Sequence, residues 1–183
     1  MNRLFEHVAE KAERVIDDPD ARCQYCERAD VPVFGYPGVI VDPSRAANPE
    51  LATTDPEVFE LCADCINSSA VERNDDFEAS RLIAHFATDP KAALAAYHRL
   101  PDIPLFLQRF DWPICCGTWC VFTGSPTDHA ALVAVQSSLR YWQQGPALRG
   151  RDFASEGEPE LMTEISCFRC DTCGERYYTD QFT

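Results

Sequence analysis

Eight of the ten cysteines in this chain fall into four close pairs, and this arrangement constrains the fold more than any other feature. Three pairs have the spacing C-x-x-C, namely Cys23/Cys26, Cys62/Cys65 and Cys170/Cys173, and a looser fourth pair is Cys116/Cys120. The last C-x-x-C is followed by Gly174, which supplies the free φ that the turn of a zinc knuckle tends to need. Because a structural zinc takes four ligands, each pair is half a site, and four halves predict two zinc ions.

The order of the pairs along the chain predicts which halves combine. Cys23/Cys26 and Cys62/Cys65 flank strand-like sequence from Val31 to Val41, so we expect them to form one Cys₄ site of the zinc-ribbon or treble-clef-like kind. Cys116/Cys120 and Cys170/Cys173 then form the second site. Two thiols remain, Cys115 and Cys167, and packing in the core is the simplest expectation for both.

The start of the chain bears on the chemistry of these thiols. Met1 to His7 contains no apolar run, which predicts no secretory signal and a cytoplasmic protein. Thiol pairs in a reducing compartment bind metal more often than they form disulfides. A disulfide framework or a redox pair remains the alternative. The longest uncharged run, Trp112 to Thr127, is interrupted by prolines and glycines, which predicts no membrane span.

The charge balance restricts the partners. Sixteen basic against thirty acidic side chains give a net charge of −14. Binding a nucleic-acid backbone requires lysines and arginines that replace counterions, so we expect no nucleic-acid partner. The same charge favours attraction to a basic protein, although plain solubility is the simpler interpretation.

The apolar periodicity predicts an α+β protein in which small sheets and hairpins surround the two zinc sites. Residues 1–18 are expected to form an N-terminal helix, because Leu4, Phe5, Val8, Ala12, Val15 and Ile16 recur at helical spacing. Residues 19–183 form the zinc-binding domain, with a first zinc module at about 20–72, a helical middle at 74–100 and a second zinc module at about 108–183.

Local signals place elements inside these modules. A turn is expected near Gly35 to Gly38 within the first strand region. Asp76 and the pair Asp89-Pro90 are typical starts of the two middle helices, and a further helix begins after Asp128. The segment from Leu161 to Thr183 predicts a hairpin that carries Cys170 and Cys173.

The cysteine pairs and their neighbours resemble the CbrC family of small bacterial proteins. The resemblance lies in Cys23–Cys26, Leu61-Cys62-x-x-Cys65-Ile66, Cys116-Gly117-x-x-Cys120-Val121-Phe122 and Phe168-Arg169-Cys170-x-x-Cys173-Gly174. It runs from about residue 20 to the end and implies an acidic, cysteine-paired protein; the family name is linked to tolerance of a colicin. Cys115 and Thr118 stand where family members often have His and Asp, and Ala63-Asp64 replaces a common Pro-Trp.

The motifs predict a protein that is not an enzyme. A catalytic zinc keeps an open position, whereas closed Cys₄ sets leave none, and the sequence contains no H-E-x-x-H pattern. We expect the protein to act by binding another protein. The more specific hypothesis is that it is an immunity-type protein that neutralises a basic toxin domain. A zinc-dependent regulator or adaptor with an endogenous partner is the alternative. A hydrolase or redox enzyme, using Cys115 or Cys167 with His129, is the least favoured reading.

Overall fold

The computed structural model describes residues 3–42, 57–104, 106, 109–142 and 151–181, and it has the expected α+β character. The chain divides into two compact units that interleave along the sequence. Unit 1 comprises Met1–Glu13, Asp76–Ala93 and Pro104–Thr183, and unit 2 comprises Arg14–Asp75 and Leu94–Ile103. The expected first zinc module therefore falls within unit 2 and the second within unit 1, while the helical middle is divided between the units.

Unit 2 is built on a three-stranded antiparallel sheet. Its strands are β1 (Val33–Ile40), β2 (Glu57–Cys62) and β3 (Val71–Arg73), in the order β2-β1-β3. A short helix, α1 (Ala63–Ile66), follows β2 directly. The turn expected near Gly35 to Gly38 is wrong: β1 continues through this stretch, and only its register with β2 shifts there.

Pro37 is accommodated within β1 because it lies where the register with β2 shifts. Proline has no N–H for a strand ladder and is tolerated at a bulge, which is where the register shifts. Its carbonyl still accepts a hydrogen bond from the Asn74 N–H at 3.0 Å. Gly38 is needed for another reason: a Cβ there would lie 2.5 Å from the Glu72 carbonyl oxygen, because β3 approaches closely.

Unit 1 contains a two-stranded and a four-stranded sheet. The first pairs β4 (Ile114–Cys115) with β5 (Thr118–Trp119). The second has the order β6-β8-β9-β7, with β6 at Val121–Gly124, β7 at Arg140–Tyr141, β8 at Ile165–Arg169 and β9 at Arg176–Asp180. β8 and β9 form the expected C-terminal hairpin, from Ile165 opposite Asp180 to Arg169 opposite Arg176.

Three of the expected helices begin at the predicted caps. α2 (Phe77–Phe86) and α4 (His129–Ser138) start after Asp76 and Asp128, whose side chains accept backbone N–H bonds. α3 (Pro90–Tyr97) follows Asp89 in the same way, and a short α5 (Phe153–Glu156) lies between α4 and β8. No helix among the described residues combines the length and the apolar character that crossing a membrane requires.

The core of unit 1 lies between α4 and the four-stranded sheet. Buried apolar side chains from both elements and from α5 meet there: Leu132, Val135, Phe153, Ile165, Cys167 and Tyr178. Beside them is a buried ion network in which the Arg151 guanidinium lies 3.2 Å from a Glu164 carboxylate oxygen and 3.1 Å from an Asp180 oxygen. Buried charges of this kind persist in folded proteins only when they are paired.

The predicted N-terminal helix is wrong. Within residues 3–18 the only helical turn is a short 3₁₀ segment, Glu10–Ala12. Val8 instead forms a parallel bridge with Phe122 of β6, and the flanking backbone groups exchange hydrogen bonds of 2.8 and 2.9 Å. The open edge of β6 offers backbone N–H and C=O groups, and pairing with them outweighs the local helical pattern.

Candidate metal centres

The first candidate centre lies in unit 2 and brings together four cysteines: Cys23, Cys26, Cys62 and Cys65. Their four sulfur atoms all lie within 4.8 Å of one another, and the Cys26 and Cys62 sulfurs are 3.8 Å apart. Cys62 ends strand β2 and Cys65 lies in helix α1, so the strand-to-helix junction presents both thiols on one side. The structure thus joins the two C-x-x-C pairs that the sequence predicts to combine.

The C-x-x-C of residues 23–26 forms a tight turn with its own backbone hydrogen bonds. The Glu27 N–H donates to the Cys23 carbonyl at 2.7 Å, and the Cys23 N–H donates to the Arg28 carbonyl at 3.0 Å. Glu27 has φ 62°, in the left-handed region that non-glycine residues seldom occupy. The residue that follows the second cysteine of this turn is therefore held in a strained conformation.

The C-x-x-C of residues 170–173 repeats the same turn in unit 1. The Gly174 N–H donates to the Cys170 carbonyl at 2.9 Å, and the Cys170 N–H donates to the Glu175 carbonyl at 2.8 Å. Gly174, with φ 78°, occupies the position that Glu27 occupies in the first turn. Two separate stretches of the sequence therefore fold into matching knuckles, as expected for turns that present two ligands to one metal ion.

The second candidate centre contains one cysteine that the sequence reading assigned elsewhere. The four sulfurs within 4.8 Å of one another belong to Cys115, Cys116, Cys170 and Cys173. Cys115 therefore stands in the place expected for Cys120, and the predicted half-site Cys116/Cys120 is corrected to Cys115/Cys116. The Cys115 sulfur lies 3.9 Å from that of Cys116 and 3.6 Å from that of Cys173.

A tight hairpin explains why two adjacent cysteines serve together. Cys116 and Gly117 are the two loop residues between β4 and β5, with φ 53° and 81°. Positive φ at both central residues is the requirement of a type I′ hairpin turn. Only glycine fits at position 117, because a Cβ there would also collide with the Thr88 side chain. The signal available in the sequence was Cys-Cys-Gly flanked by strand-forming residues, which places the thiols at the tip of a hairpin.

Cys120 lies beyond this hairpin and is fully buried. Its N–H donates to the Pro113 carbonyl, and its own carbonyl accepts a hydrogen bond from the indole N–H of Trp112, both at 2.8 Å. Burial raises the pKa of the Cys120 thiol well above its usual range. Cys120 is thus a packing thiol, the role expected for Cys115.

Each centre contains one thiol that favours the ionised form. Desolvation works against ionisation of Cys26, but hydrogen bonds from the side chain and backbone of Arg28 outweigh it and lower the pKa to about 6. Desolvation is likewise outweighed at Cys170, where backbone N–H groups of Cys173 and Thr172 lower the pKa to about 7. Because the thiolate is the form that binds metals, each centre offers a starting ligand at neutral pH.

The spacing of the sulfurs fits a tetrahedral ion. Four thiolates at about 2.3 Å from zinc lie about 3.8 Å from one another, whereas a disulfide would bring two sulfurs to about 2.05 Å. Three of the observed separations are 3.6, 3.8 and 3.9 Å, the sulfurs of each set all lie within 4.8 Å, and all ten cysteines are free thiols. Polar groups also surround the sulfurs: the Tyr177 hydroxyl donates to Cys115 at 3.2 Å, and the Arg28 guanidinium donates to Cys26 and Cys62 at 3.4 Å. The two centres could each hold a metal ion.

The two centres differ in exposure. Three cysteines of the first centre are buried and Cys26 is partly buried. In the second centre Cys116 and Cys173 are exposed and only Cys170 is buried. A competing chelator or oxidant therefore reaches the second centre more easily.

Of the two thiols considered as nucleophiles, Cys167 lies in the core of unit 1 and Cys115 lies in the second centre. Burial raises the pKa of Cys167 to about 11, opposite to the shift that activates a catalytic cysteine. The ring of His129 contacts the Glu158 carboxylate, and both side chains are substantially exposed.

Comparisons with models of protein families, with curated proteins and with solved structures give no match for this chain.

Proposed function

We propose that the chain is a structural zinc protein that binds two zinc ions, one in each four-cysteine centre. The observation that carries this proposal is the presence of two closed sets of four sulfurs, each within 4.8 Å. Thiolate sets of this kind suit zinc, and a set of four cysteines leaves no open position for a catalytic water. In the first centre, the sequence of a knuckle, a pair of strands and a short helix supports the treble-clef-like description.

On this proposal the protein is not an enzyme and acts by binding another protein. A net charge of −14 supports a basic partner, because opposite charges speed association and select against acidic competitors. Together with the resemblance to the CbrC family, this favours an immunity-type protein that neutralises a basic toxin domain in a bacterial cytoplasm.

A regulator or adaptor with an endogenous partner is the second candidate. Phe77, at the start of α2, is 80% exposed, the most of the exposed large apolar side chains among the described residues, and would give an adaptor an apolar contact. The two candidates differ in the force that holds the partner: charge for the immunity-type protein, apolar contact for the adaptor.

The structure sharpens the choice of acidic residues for a test. Two acidic clusters are considered for this contact, residues 75–78 and residues 156–160. The first includes Asp76, which caps α2, and Glu78, which pairs with Arg81. Changing them would disturb the helix. Glu156, Glu158 and Glu160 are all exposed, and the contact of Glu158 with His129 joins two exposed side chains, so this cluster is the better probe.

The experiment measures association with a basic partner domain, such as a cationic bacterial nuclease domain, at increasing salt. The Debye length shrinks from ~30 Å at 0.01 M to ~8 Å at 0.15 M, so the association rate should fall steeply. The triple change Glu156→Gln, Glu158→Gln and Glu160→Gln should weaken binding and flatten the salt dependence. The matched control, Asp17→Asn, Asp20→Asn and Asp30→Asn, removes equal charge from other exposed positions. Binding that ignores salt but is lost in Phe77→Ser would favour the adaptor.

A further inference from the structure

An open cavity of about 570 Å³ lies in unit 1, apart from the sulfurs of the second centre. The N-terminal segment contributes one side of it, and strands β6, β8 and β9 contribute the other. The lining residues are Arg3, Ala9, Glu10, Lys11, Thr123, Arg169 and Arg176.

The charge of this cavity is opposite in sign to that of the protein. Four cationic side chains line it against one carboxylate, in a chain whose net charge is −14. Only two lysines exist in the whole sequence, and Lys11 is one of them. Such a concentration of positive charge in an acidic protein requires a physical explanation.

Strand pairing makes the concentration costly in the absence of an anion. Arg169 and Arg176 are directly opposite each other in the β8–β9 register, so their side chains leave the same face of the sheet. Like charges at such positions destabilise a strand pair. Asp171 relieves part of the repulsion, since its carboxylate lies 2.8 Å from Arg169 and 2.9 Å from Arg3.

Among the described residues, the remaining two cations have no such carboxylate partner. Across the described residues, neither Lys11 nor Arg176 forms an ion pair. Both lie in the lining of the same cavity. Lys11 comes from the N-terminal segment and Arg176 from β9, so an anion between them would tie the segment to the sheet.

We propose that this cavity binds a small anion carrying two or more phosphate groups. Guanidinium groups pair with phosphate oxygens through two parallel hydrogen bonds, and three of the four cations are arginines. The volume lies in the range of small-molecule sites, which is roughly 300–1,000 Å³. Among the described residues, no aromatic side chain lines the cavity to stack on a nucleobase. The net charge of −14 also repels a long polyanion, so a compact phosphorylated molecule fits better than nucleic acid.

The test is calorimetric titration of the purified, metal-loaded protein with fructose 1,6-bisphosphate, a doubly phosphorylated probe that chelates zinc weakly. Fructose serves as the uncharged control ligand, and a single-stranded DNA oligonucleotide tests the polymer alternative. The double variant Lys11→Gln, Arg176→Gln is compared with Lys91→Gln, Arg140→Gln, which removes the same two residue types from exposed positions of unit 1 outside the cavity. Metal content and tryptophan fluorescence verify that both doubles are folded.

The bisphosphate should bind and fructose should not. Because the Lys11, Arg176 double removes charge-assisted hydrogen bonds to the phosphate groups, it should bind at least about tenfold more weakly, while the control double stays within about twofold of the parent. Absence of bisphosphate binding, or equal weakening in both doubles, would overturn the proposal. Tighter binding of the oligonucleotide than of the bisphosphate, lost in the Lys11, Arg176 double, would also overturn it by assigning the cavity to a nucleic-acid backbone.

Discussion

Cys115 and Cys120 are five positions apart and occupy different environments. The sulfur of Cys115 lies among three other cysteines and accepts a hydrogen bond from Tyr177. Cys120 is wholly buried, and its backbone groups bond to Pro113 and Trp112. One thiol is therefore placed to bind a metal and the other to fill the core.

Serine substitutions distinguish these roles. Cys115→Ser should lose about one zinc equivalent per chain, because it leaves three thiolates in a site that needs four ligands. Cys120→Ser should keep both zinc ions and lose only some stability, because it exchanges a buried thiol for a hydroxyl. The measurement is metal content by elemental mass spectrometry after gel filtration. If Cys120→Ser loses the zinc and Cys115→Ser keeps it, the assignment of the second centre is wrong.

The sequence could predict the C-x-x-C halves because their spacing alone positions two sulfurs. It could not choose between Cys115 and Cys120, since that choice depends on a two-residue turn closing at Cys116 and Gly117. Both residues adopt positive φ, and only the pairing of β4 with β5 requires this of a cysteine. The local sequence pattern does not show which strands pair, and the choice between Cys115 and Cys120 depends on that pairing.

At the scale of elements, the β8–β9 hairpin connects the second centre to the core of unit 1. One end of the hairpin carries Cys170 and Cys173, and the other end carries Asp180 beside Glu164 and Arg151. Burial raises the pKa of the Asp180 carboxyl, and the Arg151 charge opposes that shift. The network therefore depends on Arg151, which faces two carboxylates.

Removing the arginine should destabilise unit 1 strongly. Arg151→Met leaves two buried carboxylates without their cation, and breaking a buried ion pair in this way costs about 3–5 kcal/mol. Asp180→Asn should cost much less, because Arg151 keeps Glu164. Urea unfolding followed by tryptophan fluorescence measures both, with the exposed Arg140→Met as the control. A loss for Arg151→Met no greater than that for Arg140→Met would show that the network contributes little.

The N-terminal segment shows why an element can be mistaken from its sequence. Phe5, Val8 and Ala12 are buried, as a helical stripe predicts, while Leu4 and Val15 of the same stripe are exposed. The apolar residues were identified, but their secondary structure was set by the free edge of β6 in unit 1. The helices α2 and α4 could be predicted because their aspartate caps are adjacent to them in sequence.

At the scale of the whole molecule, each compact unit holds one centre, and loss of metal from the two units can be observed separately. All three tryptophans, Trp112, Trp119 and Trp142, belong to unit 1, which holds the second centre. The thiols of that centre are the more exposed. Metal loss should therefore proceed in two steps that differ in their optical signal.

A chromogenic chelator in excess should release zinc in a fast and a slow phase, each of about one equivalent. The fast phase should coincide with a change in tryptophan fluorescence, because a structural zinc site contributes its binding energy to folding. Cys173→Ser should remove the fast phase and leave the slow one. A fluorescence change that follows the slow phase instead would contradict the assignment of the exposed centre to unit 1.

The most direct test of two closed Cys₄ zinc centres is the metal content of the purified chain. The protein, expressed without added metal and separated from free ions, is analysed by elemental mass spectrometry together with its concentration from amino-acid analysis. The two sulfur sets predict two zinc ions per chain, with eight thiols protected from alkylation until the metal is removed. One zinc per chain, no metal, or iron in place of zinc would contradict the account.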